Sequence, residues 1–228
     1  AQLPQAFVER MAARLKDELP AFLRSYEEPY CRGIRFQPGK LVPPAAWPAG
    51  VGEQIPWEPA ARYLAMESDA GTMVLHEAGG WYLQEPSAMA PVAALNPQPG
   101  ERVLDLCAAP GGKSTQIAAH LGGKGLLVSN EPVPKRAAVL SRNLERMGVT
   151  NALAVSAYPD QLAAQWPAYF DAVLVDAPCS GEGMFRRHPE TREEWSPEAP
   201  AGCAKRQREI LAAAARLVRP GGRVVYST

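Results

Sequence analysis

The chain has 228 residues, of which 46% are hydrophobic and 21% are charged, a composition typical of a soluble globular protein. Its longest apolar runs have the length of a strand, which excludes a transmembrane helix. The 24 basic and 24 acidic residues cancel, so nucleic-acid binding would have to depend on local basic clusters rather than on a generally basic surface.

The cysteines and histidines indicate no metal site. Cys31, Cys107, Cys179 and Cys203 form no C-x-x-C pair, and the three histidines are scattered along the chain. This spacing argues against a structural zinc site and against a disulfide framework. Because the first residues also lack the features of a signal peptide, we expect a reducing cytoplasm as the location and no metal or membrane partner.

The first 80 residues predict a small α+β accessory domain. Residues 4 to about 28 carry apolar side chains at three- and four-residue steps, which predicts an amphipathic region that Pro20 divides into two helices. From residue 29 to about 80 the chain is rich in Pro, Gly and Trp, with short strand-like pieces such as residues 62–66. We assign no chemistry of its own to this domain.

Strand and helix patterns alternate from Pro86 to the end of the chain, which predicts a core domain over residues 81–228. A helix is predicted over residues 86–95. The elements that follow are predicted as a strand at 102–106, a helix at 113–121, a strand at 126–130, a helix at 134–147, strands at 152–156 and 172–176, a helix at 203–218 and a strand at 223–227. Continuous apolar strands separated by helices predict a doubly wound, Rossmann-like α/β fold, which binds ligands at the carboxyl ends of its strands. Because the last predicted core strand stops at the end of the chain, we expect a fragment, truncated after its fifth strand.

The most informative segment, Asp105–Ser114 (DLCAAPGGKS), joins the first core strand to the next helix. Gly111 and Gly112 allow a sharp turn and a close approach to a ligand, and the helix start offers free N–H groups. The spacing is not G-x-G-x-x-G, and the phosphate-binding pattern G-x-x-x-x-G-K-[ST] fails because Cys107 occupies its first glycine. Pro110 also removes one N–H. These features favour S-adenosylmethionine as the ligand.

Glu131 follows the next core strand, 19 residues after Gly112. A carboxylate at this place can accept hydrogen bonds from ribose hydroxyls and repels phosphate. It therefore favours an adenosine-containing ligand without a triphosphate. An ordinary exposed loop glutamate is the alternative interpretation.

A second motif, DAPCSGEG at residues 176–183, places an acid and a thiol three residues apart. Asp176 alone would also suit a metal ligand of an NTPase. A cysteine near a methyl donor suggests that a thiolate adds to C6 of a cytosine, so that C5 accepts the methyl group and the C5 proton then leaves with the thiol. The alternative interpretation of Cys179 is a buried thiol that packs as a small hydrophobe.

Together with QEPSAM at residues 84–89, these motifs resemble the RNA cytosine-C5 methyltransferases related to the Nol1/Nop2 and Sun proteins. The resemblance covers about residues 84–228, and GMFRRHPE at 183–190 is most similar to the bacterial small-subunit (16S) rRNA methyltransferases. It implies a methyltransferase core that uses S-adenosylmethionine, 5-methylcytosine as product, and rRNA or the assembling small subunit as partner. A P-loop-like NTPase and a noncatalytic RNA- or cofactor-binding scaffold are the competing hypotheses.

The resemblance also implies roles for the matching positions. The residues that would surround the cofactor are Cys107, Ala108, Ala109, Pro110, Gly111, Gly112 and Lys113. Glu131 would hold the ribose, with support from Arg136 in the following helix. Asp176 would contact both the cofactor and the edge of the cytosine.

The resemblance assigns Cys179 to product release and places the main nucleophile immediately after Thr228. A chain that stops there would bind the cofactor without completing turnover. The family's acid that holds adenine has no clear counterpart here, since Tyr158 and Asp160 are both candidates.

Overall fold

The computed structural model describes residues 2–40 and 42–228. Ala1 and Leu41, both in the predicted accessory domain, lie outside the described residues. The chain divides into two compact units, one formed by residues 2–30 and 178–208 and the other by residues 31–177 and 209–228.

The elements of the described residues follow the predicted order closely. The strands are β1 (Arg32–Phe36), β2 (Val51–Gln54), β3 (Ala61–Leu64), β4 (Trp81–Leu83), β5 (Arg102–Asp105), β6 (Leu126–Asn130), β7 (Ala152–Val155), β8 (Phe170–Asp176) and β9 (Val218–Ser227). The helices are α1 (Gln5–Leu15), α2 (Leu19–Arg24), α3 (Val74–Glu77), α4 (Pro86–Leu95), α5 (Gly112–Leu121), α6 (Pro134–Arg146), α7 (Pro159–Gln165), α8 (Thr191–Glu194) and α9 (Ala199–Leu217). None of these helices combines the length and apolarity needed to cross a bilayer.

The smaller unit is organised around the buried Phe7 of α1. Its ring contacts Phe185 edge-on at 5.2 Å between centroids and lies 6.0 Å from the ring of Trp195. Glu182 links both sides of this cluster, because it pairs with Arg10 and accepts a 2.9 Å hydrogen bond from the Trp195 indole. The apolar side of α1 therefore packs into this cluster through Phe7.

The predicted break at Pro20 was placed too late. A 3-10 turn at Lys16–Glu18 separates α1 from α2, and Lys16 has a positive φ of 46°. Pro20 lies in the first turn of α2, where its missing N–H costs no helical hydrogen bond.

Residues 31–83 of the larger unit form an antiparallel sheet, with strand order β2-β3-β1-β4 in the described part of the chain. Its core contains Ile34, Leu64 and Trp81, all buried. The Trp81 indole donates a 3.0 Å hydrogen bond to the carbonyl of Ala70, so its one polar atom is satisfied. This sheet confirms the α+β character predicted for the N-terminal region.

The rest of the larger unit contains a parallel sheet, whose described strands have the order β7-β6-β5-β8-β9. Side chains of β5 and β8 alternate between two cores, as expected for a sheet that is covered on both faces. Leu104 and Val173 pack with α9 on one face, whereas Val103 and Leu174 pack with helices α4 to α6 on the other. The doubly wound fold is thus confirmed.

Two features of this sheet differ from the prediction. Helix α7 was not predicted, since seven residues that begin at Pro159 give too short a pattern for helical periodicity. Strand β9 begins at Val218 rather than at residue 223, because its pairing shifts from Phe170↔Val218 to Ala172↔Arg223. The intervening residues 219–222 form an irregularity within the strand.

A buried carboxylate joins the antiparallel sheet to α5. Glu58 is 3% exposed. Its Oε2 accepts a 2.6 Å hydrogen bond from Gln116 Nε2 and lies 3.0 Å from His120 Nε2. Burial acts to raise the pKa of Glu58, but the hydrogen bonds from His120 and Gln116 outweigh it and leave the pKa lowered. The ionised carboxylate therefore stabilises the fold above pH 4.5, and this contribution is lost as the pH falls below that value.

We predict that Glu58→Ala lowers the free energy of unfolding at pH 7 by about 1 to 3 kcal/mol, because a buried amide loses its acceptor. The loss should shrink below pH 4.5, where the wild-type carboxylate becomes protonated. Urea unfolding at pH 7 and at a pH below 4.5 measures the two free energies of unfolding. Glu53→Ala, at an exposed position of β2, is the matched control. Equal losses for the two variants would contradict the assignment.

Candidate cofactor site

Three acidic residues lie at the carboxyl edge of the parallel sheet. Asp105 ends β5, Asp176 ends β8 and Glu131 follows β6. The parallel register pairs Asp105 with Ser129 on one side and with Leu174 on the other, so these three strand ends are neighbours. The sequence motifs that were predicted to bind a ligand therefore meet at one edge.

The segment between β5 and α5 forms the tight turn that the glycines predicted. Gly111 has a φ of 115°, a conformation that favours glycine, and α5 begins at Gly112. None of the described side chains caps this helix. The N–H groups of its first turn are therefore available to a ligand, and the positive end of the helix dipole points at the same place.

Lys113 and Asp176 form an ion pair within this edge. The distance from Lys113 Nζ to Asp176 Oδ2 is 2.6 Å, and Asp176 Oδ1 accepts a 2.8 Å hydrogen bond from Ser227 Oγ. Both oxygens of the Asp176 carboxylate are thus held in a fixed orientation.

Glu131 is 2% exposed, which excludes the alternative of an exposed loop glutamate. Its Oε2 lies 3.1 Å from Nη1 of Arg136, and its Oε1 accepts a hydrogen bond from the N–H of Val133. Arg136 also donates to the carbonyl of Ala109 at 3.3 Å. The structure therefore links the acid after β6 directly to the glycine turn.

Asp105 is fully buried below the turn and was not singled out as a site residue from the sequence. Its Oδ2 accepts a 2.7 Å hydrogen bond from Ser114 Oγ, which accepts one from Ser129 Oγ at 2.8 Å. Burial raises the pKa of Asp105 to about 6 in spite of the hydrogen bond from Ser114. Its place at the head of the DLCAAPGGKS motif was the one sequence signal that could have marked it.

The two cysteines of the motifs have different surroundings. Burial raises the pKa of the Cys107 thiol to about 12, and the carboxylates of Asp105, Asp176 and Glu131 add to the effect. Cys107 is therefore a neutral thiol at physiological pH and a poor nucleophile. Cys179 is exposed and belongs to the smaller unit, where the carbonyl of Pro178 accepts a 3.0 Å hydrogen bond from Gln207.

The two candidates for contact with adenine lie at the start of α7. Tyr158 is 68% exposed, and the exposed Asp160 forms an ion pair with Arg216. A further residue, Asn130, was missed by sequence reasoning although it ends β6. Its amide donates to the carbonyl of Leu106 at 3.1 Å and its oxygen accepts from the N–H of Ala157, so it ties the turn to the segment that carries these candidates.

The charges at this edge limit the class of ligand. Three carboxylates surround Cys107, with Lys113 and Arg136 as the paired cations. Such an edge repels a triphosphate and suits a ligand that carries positive charge and hydroxyl groups. Among the described residues, no cluster of three His, Cys, Asp or Glu side chains could hold a metal ion.

The strand order, the glycine turn after β5 and the acid after β6 define an α/β methyltransferase fold. The crystal structure of PH0851 matches 98% of this chain and 52% of its own, with a TM-score of 0.89 and 28% identity. NSun6 from Pyrococcus horikoshii with SFG matches 98% of this chain and 82% of its own, with a TM-score of 0.84 and 19% identity.

Residues 92–228 match the family described as 16S rRNA methyltransferase RsmB/F, and residues 3–86 match the N-terminal domain of 16S rRNA methyltransferase RsmF. The chain belongs to this RsmB/F family of 16S rRNA methyltransferases, which confirms the resemblance of the motifs. It is 38% identical over 242 residues to ribosomal RNA small subunit methyltransferase F of Klebsiella pneumoniae (strain 342), and 36% identical over 241 residues to that of Salmonella paratyphi B. Each of these matches includes 99% of this chain. The chain spans about half the length of these curated relatives.

The raised pKa of Asp105 predicts an unusual pH dependence of stability. Because the native state holds this proton up to about pH 6, the contribution of Asp105 to the free energy of unfolding falls as the pH rises from about 4 to 6. In Asp105→Asn this decline should be absent, so the stability of the variant relative to wild type should rise by about 2 to 3 kcal/mol between pH 3.5 and 7. Urea unfolding across this range is the measurement. Asp69→Asn, at an exposed position, should follow the wild type, and a parallel curve for Asp105→Asn would contradict the prediction.

Proposed function

We propose that this chain is the cofactor-binding part of a methyltransferase that transfers a methyl group from S-adenosylmethionine to C5 of a cytosine in small-subunit rRNA. The observation that carries the proposal is the buried Glu131, held by Arg136 beside the Gly111–Gly112 turn. Its curated relatives are about twice as long, so turnover and RNA recognition are proposed for the whole protein.

The residues of the edge fit S-adenosylmethionine. Glu131 is placed to accept hydrogen bonds from the ribose hydroxyls, and the free N–H groups at the start of α5 suit the carboxylate of the methionine part. The surrounding carboxylates stabilise the positive charges of the sulfonium and the ammonium. The crystal structure of NSun6, whose fold this chain shares, was determined with SFG, the S-adenosylmethionine analogue sinefungin, which is consistent with this assignment.

When bound, S-adenosylmethionine supplies an electrophilic methyl group next to the target base. Asp176 is placed to accept a hydrogen bond from the exocyclic amine of cytosine, and the contacts with Lys113 and Ser227 orient its carboxylate for this role. Cys107 is too weakly acidic to attack the base. We assign the exposed Cys179 to release of the methylated product and the attack on C6 to a further cysteine of the whole protein.

The same features argue against a P-loop-like NTPase. Cys107 occupies the position of the first P-loop glycine. The carboxylates that surround it would repel the phosphates of a nucleoside triphosphate. A noncatalytic scaffold would share the cofactor site, so tests of turnover in the whole protein are needed to separate it from an enzyme.

We predict that isothermal titration calorimetry of this chain shows binding of S-adenosylhomocysteine and none of Mg-ATP. Glu131→Ala should weaken S-adenosylhomocysteine about 10- to 100-fold, because a charged acceptor is worth about 1.5 to 3 kcal/mol. Glu145→Ala, at an exposed position of α6, should leave the affinity unchanged. Binding of Mg-ATP without S-adenosylhomocysteine would overturn the proposal in favour of an NTPase.

For the whole protein, we predict that Cys179→Ala accumulates a covalent RNA adduct that survives denaturing electrophoresis. The reason is that attack on C6 would proceed while release of the product is blocked. Cys31→Ala, which also removes an exposed thiol, should turn over without an adduct. If Cys179→Ala instead loses both adduct and methylation, Cys179 is the nucleophile and the assigned roles are wrong.

A further inference from the structure

The antiparallel sheet buries an arginine directly against the cofactor turn. Arg35 on β1 is 1% exposed, although arginine is rarely buried without a carboxylate partner. Burial lowers its pKa to about 10, so it is still charged at neutral pH. Because a buried charge is costly, its contacts must offset a substantial desolvation penalty.

The guanidinium of Arg35 donates its hydrogen bonds mainly to the first turn of α5. Its Nη2 donates to the carbonyl of Gly112 at 3.0 Å and to Thr115 Oγ1 at 2.7 Å. Thr115 Oγ1 in turn donates to the carbonyl of Gly111 at 2.8 Å. On its other side, Arg35 Nε donates to Gln84 Oε1 at 3.2 Å. Arg35 thus anchors the carbonyl groups of both glycines, one directly and one through Thr115.

Anchoring these carbonyls also fixes the N–H groups that a ligand would use. The peptide unit is planar and trans, so the carbonyl of one residue and the N–H of the next point in opposite directions. Holding the carbonyls of Gly111 and Gly112 on the side of the antiparallel sheet therefore directs the N–H groups of Gly112 and Lys113 to the opposite side.

The position of Arg35 opposes the helix dipole, because a cation near a helix N-terminus is disfavoured. Helix stability alone therefore does not account for the contact. The backbone also lies tightly against the sheet, since a Cβ at Gly112 would lie 3.2 Å from Cε1 of Tyr82 and 3.4 Å from Cδ of Gln84. The antiparallel sheet thus packs directly against the turn through Tyr82 of β4.

We propose that Arg35 is a positioning residue for the cofactor, holding the Gly111–Gly112 turn in the conformation that aims its N–H groups at the ligand. The identity of that ligand rests on the proposed function. On this proposal, residues 31–83 are part of the machinery that binds the cofactor.

The test compares Arg35→Met with Arg32→Met by calorimetry with S-adenosylhomocysteine. Arg32 is the matched control, because it lies on the same strand and donates to the carbonyls of Ala65, Met66 and Ser68 in the loop that follows β3. Arg35→Met should weaken binding about tenfold, because the turn must then be ordered when the ligand binds. Arg32→Met should stay within about twofold of wild type. Equal affinities for the two folded variants would overturn the proposal.

Thr115→Val keeps the shape of the side chain and is the second variant, used also if Arg35→Met does not fold. It should weaken binding in the same direction, and the double variant should lose less than the two single losses combined, because both act on one turn. Arg35→Lys, which can still reach a carbonyl, should bind with intermediate affinity. Unchanged affinity in Thr115→Val, or additive losses, would contradict the proposal.

Hydrogen exchange measured by mass spectrometry separates this proposal from the proposed function. In Arg35→Met without ligand, a peptide that covers residues 106–115 should exchange faster, and in Arg32→Met the changes should be confined to residues 61–68. Failure of the wild type to bind S-adenosylhomocysteine would sink the proposed function, while faster exchange at residues 106–115 would still support the anchoring role. Unchanged exchange there would overturn the role of Arg35.

Discussion

The position of β5 between β6 and β8 is the constraint on which the rest of the structure depends. After β5 the chain continues to β6 on one side of it, and β8 later pairs with β5 on the other side. The two connections therefore run in opposite directions, which opens a crevice at the carboxyl end of β5. The glycine turn lies in this crevice, and the strand ends on both sides bring Asp105, Glu131 and Asp176 to one edge.

The charges at this edge then determine its chemistry. Glu131 pairs with Arg136 and Asp176 pairs with Lys113, whereas Asp105 accepts a hydrogen bond from the hydroxyl of Ser114. Burial, reinforced by these carboxylates, keeps the Cys107 thiol protonated. Their combined charge favours a cationic ligand over a polyphosphate. The raised pKa of Asp105 shows that this arrangement costs stability at neutral pH, as is common where a site is built for binding.

The antiparallel sheet contributes more than packing to this arrangement. Arg35 holds the start of α5, and Glu58 binds two side chains further along the same helix. Lys40 reaches the carbonyl of Arg146 at the end of α6, where a cation complements the helix dipole. The antiparallel sheet and its connecting segments, for which the sequence predicted no chemistry, thus contact both helices that flank the turn.

The sequence by itself determined the features that are local in the chain. Apolar strand patterns, two glycines and the 19-residue step to Glu131 are all visible within short windows, and they identified the fold, the turn and the family. Tertiary structure decided the rest, because Arg35 is separated from Gly112 and Thr115 by 77 and 80 residues. No periodicity links residues so far apart. Their pairing, and with it the burial that shifts the pKa values of Asp105 and Cys107, exists only after the chain has folded.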